Sequence, residues 1–308
     1  MILNAGNILL IGSILLFVSI VVGKAGFRFG VPALLLFLGV GMLFGTDGLG
    51  IEFNNPQTAQ FIGVIALSII LFSGGMDTSA AEIKPVLGQG IVLATVGVML
   101  TALLTGYFIY YITNLGNSFI TLNFTESLLL ASVMSSTDSA SVFSILRSKR
   151  QGLKENLRPM LELESGSNDP MAYMLTILLI GIIQSGESSL SNTILQFIMQ
   201  MSIGAVSGYL LGRLAVYCIN KLNINQSLYP VLLLAFVFFI FSFTDLVKGN
   251  GYLAVYLAGL VVGNHKVVHK KSLTTFFDGI TWLFQIVMFL TLGPVSYTHL
   301  RAHETSAH

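Results

Sequence analysis

Charged side chains are scarce in this chain. They make up 9% of its 308 residues, against roughly a quarter in an ordinary soluble domain. Hydrophobic residues make up 54%, and a soluble domain of this length would need more polar surface to cover its core. The composition excludes an ordinary soluble protein, and a net charge of +1 gives no reason to expect nucleic acid as a partner.

Cysteine is almost absent as well. The single Cys218 lies in an apolar run, so a disulfide framework and a thiolate metal site are both excluded. The basic leading region of a cleavable signal peptide is also missing, and residues 1–23 are therefore expected to form a first membrane span. We expect no cofactor.

Apolar sequence is what the chain has in abundance. Runs of about 20 residues recur, and each could cross a hydrocarbon layer of about 30 Å as a helix. We therefore predict an all-α polytopic protein surrounded by membrane lipid. The ten expected spans are roughly 4–23, 31–46, 58–75, 86–113, 125–146, 158–184, 193–220, 227–245, 249–264 and 274–293.

The basic residues alternate between the connections of these spans. Odd-numbered connections and their flanks hold 13 Lys and Arg residues, whereas the even-numbered ones hold Lys248 alone, leaving out Arg301 near the end. Because positive residues mark the cytoplasmic side, we expect the amino terminus outside. The thirteen are Lys24, Arg28, Lys84, Arg147, Lys149, Arg150, Lys154, Arg158, Arg213, Lys221, Lys266, Lys270 and Lys271.

The last residues break this pattern. Residues 295–308 are polar, contain three histidines and follow an apolar run abruptly. They resemble the read-through strings at the ends of fragmentary translated sequences. We therefore expect one incomplete transmembrane domain at 1–294 and a non-native tail at 295–308, with a natural tail as the alternative.

The sixth expected span contains an unusually polar stretch, Glu164 to Pro170. If this helix starts near Leu157, Asp169 lies about 18 Å deep, close to the bilayer middle. On a helical wheel, Ser165 and Asp169 share one face, and Glu164 and Asn168 share the next. Pro170 has no N–H and leaves a backbone carbonyl free one turn earlier.

This stretch could bind a hard monovalent cation through its oxygens. A carboxylate in a partly dry site is either neutral with a proton or ionised with a cation, but not both. Such competition at one site is the physical basis of exchange. An ionisable residue inside a membrane helix is costly and indicates function by default.

The fifth expected span carries a second intramembrane acid, Asp138, at similar depth. Six Ser and Thr residues surround it between Ser132 and Ser141. They favour a helix that is broken or buried, with freed backbone groups lining a cavity. The alternative is that these hydroxyls bond back to their own helix, as Ser and Thr often do in membranes.

Other ionisable residues carry weaker signals. Glu162 lies about one turn inside the sixth span, where it could mark the mouth of a pathway or reach interfacial water. His265 and His269 lie among lysines in an inner connection. A solvated loop is the favoured interpretation for both, with tuning of a pH response as the alternative.

Thr137-Asp138 on one span and Glu164 to Pro170 on the next resemble the monovalent cation:proton antiporters of the NhaP type, and most of all the bacterial potassium/proton antiporters of that branch. The similarity covers residues 135–148 and 161–170, and less tightly 30–75. It implies a thirteen-helix inverted-repeat fold with a discontinuous helix near Asp138. It further implies a homodimer in the bacterial inner membrane that works by alternating access.

The resemblance also implies a role for each matching residue. Asp169 would bind cation and proton competitively, with Asp138 and Thr137 shaping the site and Ser165 helping to ligate the cation. Asn168 in place of a second aspartate is similar to the electroneutral branch, and Glu164 would be structural, paired with an arginine on a later helix. Pro170 completes the motif.

Two departures from the family pattern bear on activity. Many relatives have proline after the Thr-Asp pair, whereas Ser139 stands here. The chain also stops about three helices short of the family fold, and the arginine for Glu164 would lie on that part. Since a buried charge without its partner can cost about 3–5 kcal/mol, we expect the 308-residue chain by itself to be inactive.

Two other classes of protein remain possible. An intramembrane aspartyl protease also needs two membrane-embedded aspartates, but its Tyr-Asp and Gly-x-Gly-Asp motifs surround neither Asp138 nor Asp169. A cation channel would need a carbonyl-rich filter loop, and the Thr-Val-Gly string at residues 95–97 lies inside the fourth expected span rather than in such a loop. The sequence favours a transporter over an enzyme and leaves K+ and Na+ undecided.

Overall fold

The computed structural model describes residues 5–29, 31–45, 55–115, 120–137, 142, 146, 153–154, 157–185 and 190–305. Within these ranges every regular secondary-structure element is a helix, as the composition predicts. The helices are α1 Ala5–Phe29, α2 Ala33–Phe44, α3 Pro56–Asp77, α4 Ala80–Ile83, α5 Leu87–Val92, α6 Val98–Asn114, α7 Phe124–Val133, α8 Leu157–Ser185, α9 Leu190–Lys221, α10 Leu228–Leu246, α11 Gly251–Asn264 and α12 Lys270–Thr305.

Helix occurs within each expected span, although in the fifth it runs only to Val133, and not every helix is long enough to cross a membrane. In the described ranges, seven helical segments combine sufficient length with apolar composition. The other three, α2, α7 and α11, have 12, 10 and 14 residues. At about 1.5 Å per residue, none of these reaches about 30 Å by itself.

The fourth expected span is less regular than its sequence indicates. Its helical segment begins at Ala80 rather than near residue 86, and a 3-10 turn at Lys84–Val86 separates α4 from α5. A π-helical stretch at Leu93–Gly97 joins α5 to α6. Extra residues of this kind often mark functional or strained places in a helix.

The chain divides into two compact units. The first comprises residues 1–70, 140–152 and 275–308, and Phe37, Val40, Ile286 and Leu290 form its buried core. Glycine permits the close contact there, since a Cβ on Gly41 would lie 2.6 Å from the carbonyl oxygen of Leu290. Within this unit α12 continues to Thr305, so backbone helix extends into the expected non-native tail.

The second unit comprises residues 71–139 and 153–274, and α9 packs against α11 within it. Gly204, Gly208 and Gly212 recur every fourth residue on one face of α9, and their positions meet Asn250, Ala254 and Ala258 in turn. The constant offset between partners means that the two helices run parallel. Small residues at this spacing let membrane helices approach closely.

A second glycine row lies on α11 itself. Gly259 meets the backbone of Phe72, and Gly263 meets that of Met76, at the carboxy-terminal end of α3. Helix α11 is therefore covered from two sides, and ten of its residues are buried. Asn264 secures its end by donating to the carbonyl of Thr78 at 2.8 Å and accepting from the backbone N–H of Ala80 at 2.7 Å.

Gly208→Ala tests this packing. The added methyl group would lie 2.5 Å from the Ala254 carbonyl oxygen, and such overpacking costs about 1–3 kcal/mol of unfolding free energy. Gly181→Ala on α8 is the matched control because nothing lies within 4 Å of its Cβ position. Denaturant unfolding in detergent should show a loss for Gly208→Ala only. Equal stability of the two variants would contradict the close α9–α11 contact.

Candidate ion-binding site

Helix α7 has a defined start and an early end. Asn123 caps it, accepting from the backbone N–H of Glu126 at 2.8 Å, while Glu126 accepts from the backbone N–H of Asn123 at 2.8 Å. The helix ends at Val133, a turn follows, and Ser136 and Thr137 are not helical. The break expected near Asp138 is thus present on its amino-terminal side, and no proline is needed to make it.

The hydroxyl groups of this segment divide into two kinds. Ser132 and Ser135 bond back to their own chain, donating to the carbonyls of Leu129 at 2.8 Å and of Ser132 at 2.7 Å. Ser132 also lies 3.0 Å from the hydroxyl of Thr176 on α8. For these two serines the local interpretation is correct, and their bonds tighten the last turn before the break.

The Ser136 and Thr137 side chains instead form hydrogen bonds with residues of α8. Ser136 donates to Asp169 Oδ1 through a short hydrogen bond and to Asn168 Oδ1 at 3.2 Å. Thr137 donates to the two carboxylate oxygens of Glu164, at 3.0 and 3.1 Å. The non-helical segment after α7 is therefore bound to Glu164 and Asp169 of α8.

Asn168 is the most buried member of this group, with no exposed surface. Its amide nitrogen donates to the Thr137 hydroxyl at 2.7 Å, to the Thr137 carbonyl at 3.2 Å and to Glu164 Oε1 at 2.9 Å. Ser165 donates to the same Thr137 carbonyl at 3.1 Å. Neutral donors thus hold the non-helical backbone at Thr137 against α8.

Glu164 and Asp169 on α8 differ in surroundings. The bonds to Glu164 come from Thr137 and Asn168, and within the described residues no Lys or Arg lies at ion-pair distance from it. Asp169 is half-buried and is bonded by Ser136. Glu164 is engaged as a structural residue would be, whereas its expected arginine partner stays a prediction.

The structure places Glu164 and Asn168 side by side on α8, as the helical wheel predicts. Helix α8 runs unbroken from Leu157, where the sixth span was expected to start. Glu164 and Asn168, four residues apart, meet on one face, and Ser165 points to the same broken segment as they do. Asp138, the second predicted acid, lies outside the described residues.

Sequence reasoning missed Asn250, which contacts α8 at Pro170, next to Asp169. Asn250 is 4% exposed and caps α11 by accepting from the backbone N–H of Leu253 at 3.0 Å. Its amide donates to the carbonyl of Pro170 at 3.2 Å, and its own backbone N–H donates to Gln200 at 2.9 Å. An Asn before an apolar run indicates a helix cap. No sequence pattern, however, indicates that this Asn contacts Pro170.

Tyr256 on α11 was also missed. It is 1% exposed, and its ring lies against Gly166 so closely that a Cβ there would come within 2.4 Å of it. Gly166 is thus required by a ring that packs against the polar turn of α8. Glu162, in contrast, pairs at the surface with Arg158 at 2.9 Å, which fits the interfacial interpretation of this acid.

The arrangement suits a small cation. Carboxylate, amide, hydroxyl and freed carbonyl oxygens converge where a broken helix meets a continuous one, and half-unwound helices of this kind form ion sites in transport proteins. In the described part of the chain, no three His, Cys, Asp or Glu residues cluster as a resident metal site would require. The fold is that of an integral membrane protein, and the site offers the oxygen ligands that a small cation requires.

Comparison with known proteins identifies the family. The model of the transmembrane sodium/hydrogen exchanger family matches residues 12–297, and the chain belongs to that family. It is 42% identical over 288 residues to the K(+)/H(+) antiporter NhaP of Alkalimonas amylolytica, covering 93% of this chain and 49% of the relative. It is 38% identical over 293 residues to the K(+)/H(+) antiporter NhaP2 of Shewanella sp. (strain ANA-3), covering 94% and 50%. The chain thus spans about half the length of these curated relatives.

Solved structures confirm the antiporter fold. The sodium proton antiporter MjNhaP1 of Methanocaldococcus jannaschii matches with a TM-score of 0.77 at 22% identity, over 92% of this chain and 69% of that one. Its electron-microscopy structure matches with a TM-score of 0.75 at 23% identity, over 94% and 70%.

Asn168→Ala tests the role of the buried amide. Its loss removes one donor from the Thr137 carbonyl, which keeps Ser165, and one from Glu164, which keeps Thr137. Losing these buried hydrogen bonds costs about 1–3 kcal/mol of unfolding free energy. Asn114→Ala removes an exposed amide that bonds two backbone carbonyls at 2.9 Å each, and it should cost less. Denaturant unfolding in detergent measures the loss of unfolding free energy in both variants. Equal losses would show that Asn168 does not hold the site.

Proposed function

We propose that the protein containing this chain is a secondary transporter that exchanges a monovalent cation, K+ or Na+, for H+ across the membrane. The chain's family and the printed names of its relatives support cation:proton exchange. The observation that carries the proposal is the contact of non-helical Ser136 and Thr137 with Asp169 and Glu164. We propose transport rather than catalysis of a covalent reaction.

Asp169 is the proposed carrier. Ser136 is neutral and can donate to an ionised carboxylate, but it cannot cancel its charge as an arginine would. An ionised Asp169 carries one negative charge, which can hold a cation or a proton, one at a time. Asp138, Thr137 and Ser165 would complete the oxygen shell, the Thr137 carbonyl being already aimed at α8.

The neighbouring residues have supporting roles in this proposal. Glu164 shares the amide of Asn168 with the Thr137 hydroxyl and keeps the broken segment in place. Asn168 brings no second charge, so each cycle would move one cation against one proton and be electroneutral. Pro170 and Asn250 fix the depth of the carboxylate.

The whole protein is proposed to lie in the bacterial inner membrane as a homodimer, with its amino terminus outside. The thirteen basic residues of the odd-numbered connections support this orientation, and the resemblance to NhaP-type antiporters supports the dimer. Because the chain spans about half of its curated relatives, we propose that the 308 residues alone do not complete a cycle.

Asp169→Asn tests the carrier. Everted vesicles carrying the protein expressed from its full gene should change their internal pH when K+ or Na+ is added. Asp169→Asn should abolish this change because an amide neither releases a proton nor neutralises a cation. Asp278→Asn is the matched control, since Asp278 is exposed and should leave exchange unchanged. Exchange that survives Asp169→Asn would reject this carrier.

Two further arms belong to the same vesicle experiment. An imposed membrane potential should not alter the exchange rate if one cation moves for one proton, and a clear response would rule out electroneutral exchange. Vesicles carrying residues 1–308 alone should show no cation-dependent pH change, and exchange by them would show that the chain is sufficient.

A further inference from the structure

A basic cavity lies where α9 and α11 end together. Its volume is about 460 Å³, and its lining includes Arg213, Lys221 and His265. Because α9 and α11 run parallel, their carboxy-terminal ends reach the same membrane face, which the charge pattern assigns to the cytoplasm. Cavities of this size are typical of sites for small ligands.

Hydrogen bonds hold the loop after α11 against α9. Asn220, also in the lining, donates from its amide nitrogen to the Lys266 carbonyl at 2.8 Å and accepts from the backbone N–H of Val268 at 3.0 Å. Tyr229 on α10 donates to the Leu222 carbonyl at 2.8 Å, and its ring contacts His269 with centroids 5.0 Å apart. These contacts fix the loop beside the cavity, so the loop is not a freely solvated segment.

Both ring nitrogens of His265 have hydrogen-bond partners. Its Nδ1 lies 2.6 Å from the carbonyl oxygen of Val261, and its Nε2 lies 2.7 Å from Nη1 of Arg213. A carbonyl can only accept and a guanidinium can only donate. Contacts with both ring nitrogens hold His265 between Val261 and Arg213, and the contact at Nε2 orients the Arg213 side chain towards the cavity.

The cavity holds positive charge without a counter-charge. Arg213 and Lys221 contribute two cations, and Lys266 adds a third in the adjoining loop. The lining contains no carboxylate, and within the described ranges none of these three cations pairs with one. Unpaired cations around a fixed cavity attract an anion, and a guanidinium favours phosphate because its donors form a fork.

The flank of the cavity distinguishes a lipid from a free ion. Tyr217, which lines it, is 62% exposed, and Leu210 and Leu214, further into the membrane on α9, are 58% and 44% exposed. A phospholipid could place its phosphate among the cations while its acyl chains cover these apolar side chains. Basic pockets between helix ends on the cytoplasmic side suit anionic headgroups.

We propose that this cavity, lined by Arg213, Tyr217, Asn220, Lys221 and His265, binds the phosphate of an anionic phospholipid headgroup. The bound lipid neutralises the cations and joins the ends of α9 and α11 at the membrane face. This site is separate from Asp169, and the proposal does not depend on exchange activity.

Native mass spectrometry of the purified protein tests the proposal. Phosphatidylglycerol added in detergent should stay bound to the wild-type protein, whereas zwitterionic phosphatidylcholine and inorganic phosphate should not. The Arg213→Gln/Lys221→Gln variant should lose bound phosphatidylglycerol. Lys84→Gln/Lys154→Gln is the control, since it removes two exposed cations outside the cavity on the same expected face and should retain the lipid.

Four results would overturn the site. Equal phosphatidylglycerol binding by all three proteins would show that the cavity is not involved, and equal loss in both double variants would show general charge attraction only. Binding of inorganic phosphate in preference to the lipid would assign a free anion instead. If the double variant does not fold, Lys221→Gln alone should still lower lipid occupancy, and unchanged occupancy there would contradict the proposal.

Discussion

The structure of the site depends on one amide group. Asn168 is fully buried on a continuous helix, and its nitrogen is shared between a carboxylate of that helix and the backbone of a neighbouring chain segment that has left helical geometry. An unpaired backbone carbonyl in a dry environment is costly. By donating to Thr137, Asn168 makes the break in the fifth span tolerable, and it does so without adding charge beside Asp169.

Glycine packing gives this arrangement a firm support within the second unit. The glycines of α9 and of α11 place backbones in direct contact, and α11 in turn presents Asn250 and Tyr256 to the polar turn of α8. Small residues make such contacts possible because lipid provides no hydrophobic drive between helices. These contacts with α11 hold the backbone on either side of the polar turn, at Gly166 and at Pro170.

Much of this could be predicted from sequence because membrane physics is restrictive. Apolar length gave helices at all ten expected spans, and the period of a helix placed Glu164 and Asn168 side by side. Other features have no local signal. Ser135 and Ser136 are identical neighbours, yet one bonds back to its own turn and the other reaches Asp169, since the difference depends on where the helix breaks. The sequence drew attention to Asn168 because it lacks the charge of an aspartate. The structure shows instead that its amide N–H groups donate to Thr137 and Glu164.

The central claim is that one carboxylate, Asp169, binds either a cation or a proton. The most direct measurement is the affinity of the purified protein for K+ or Na+, followed by cation-dependent thermal stabilisation from alkaline to acidic pH. Competition predicts that the apparent dissociation constant rises as the carboxylate protonates, and in proportion to proton concentration once the carboxylate is mostly protonated. An affinity that stays constant across that range would contradict the account.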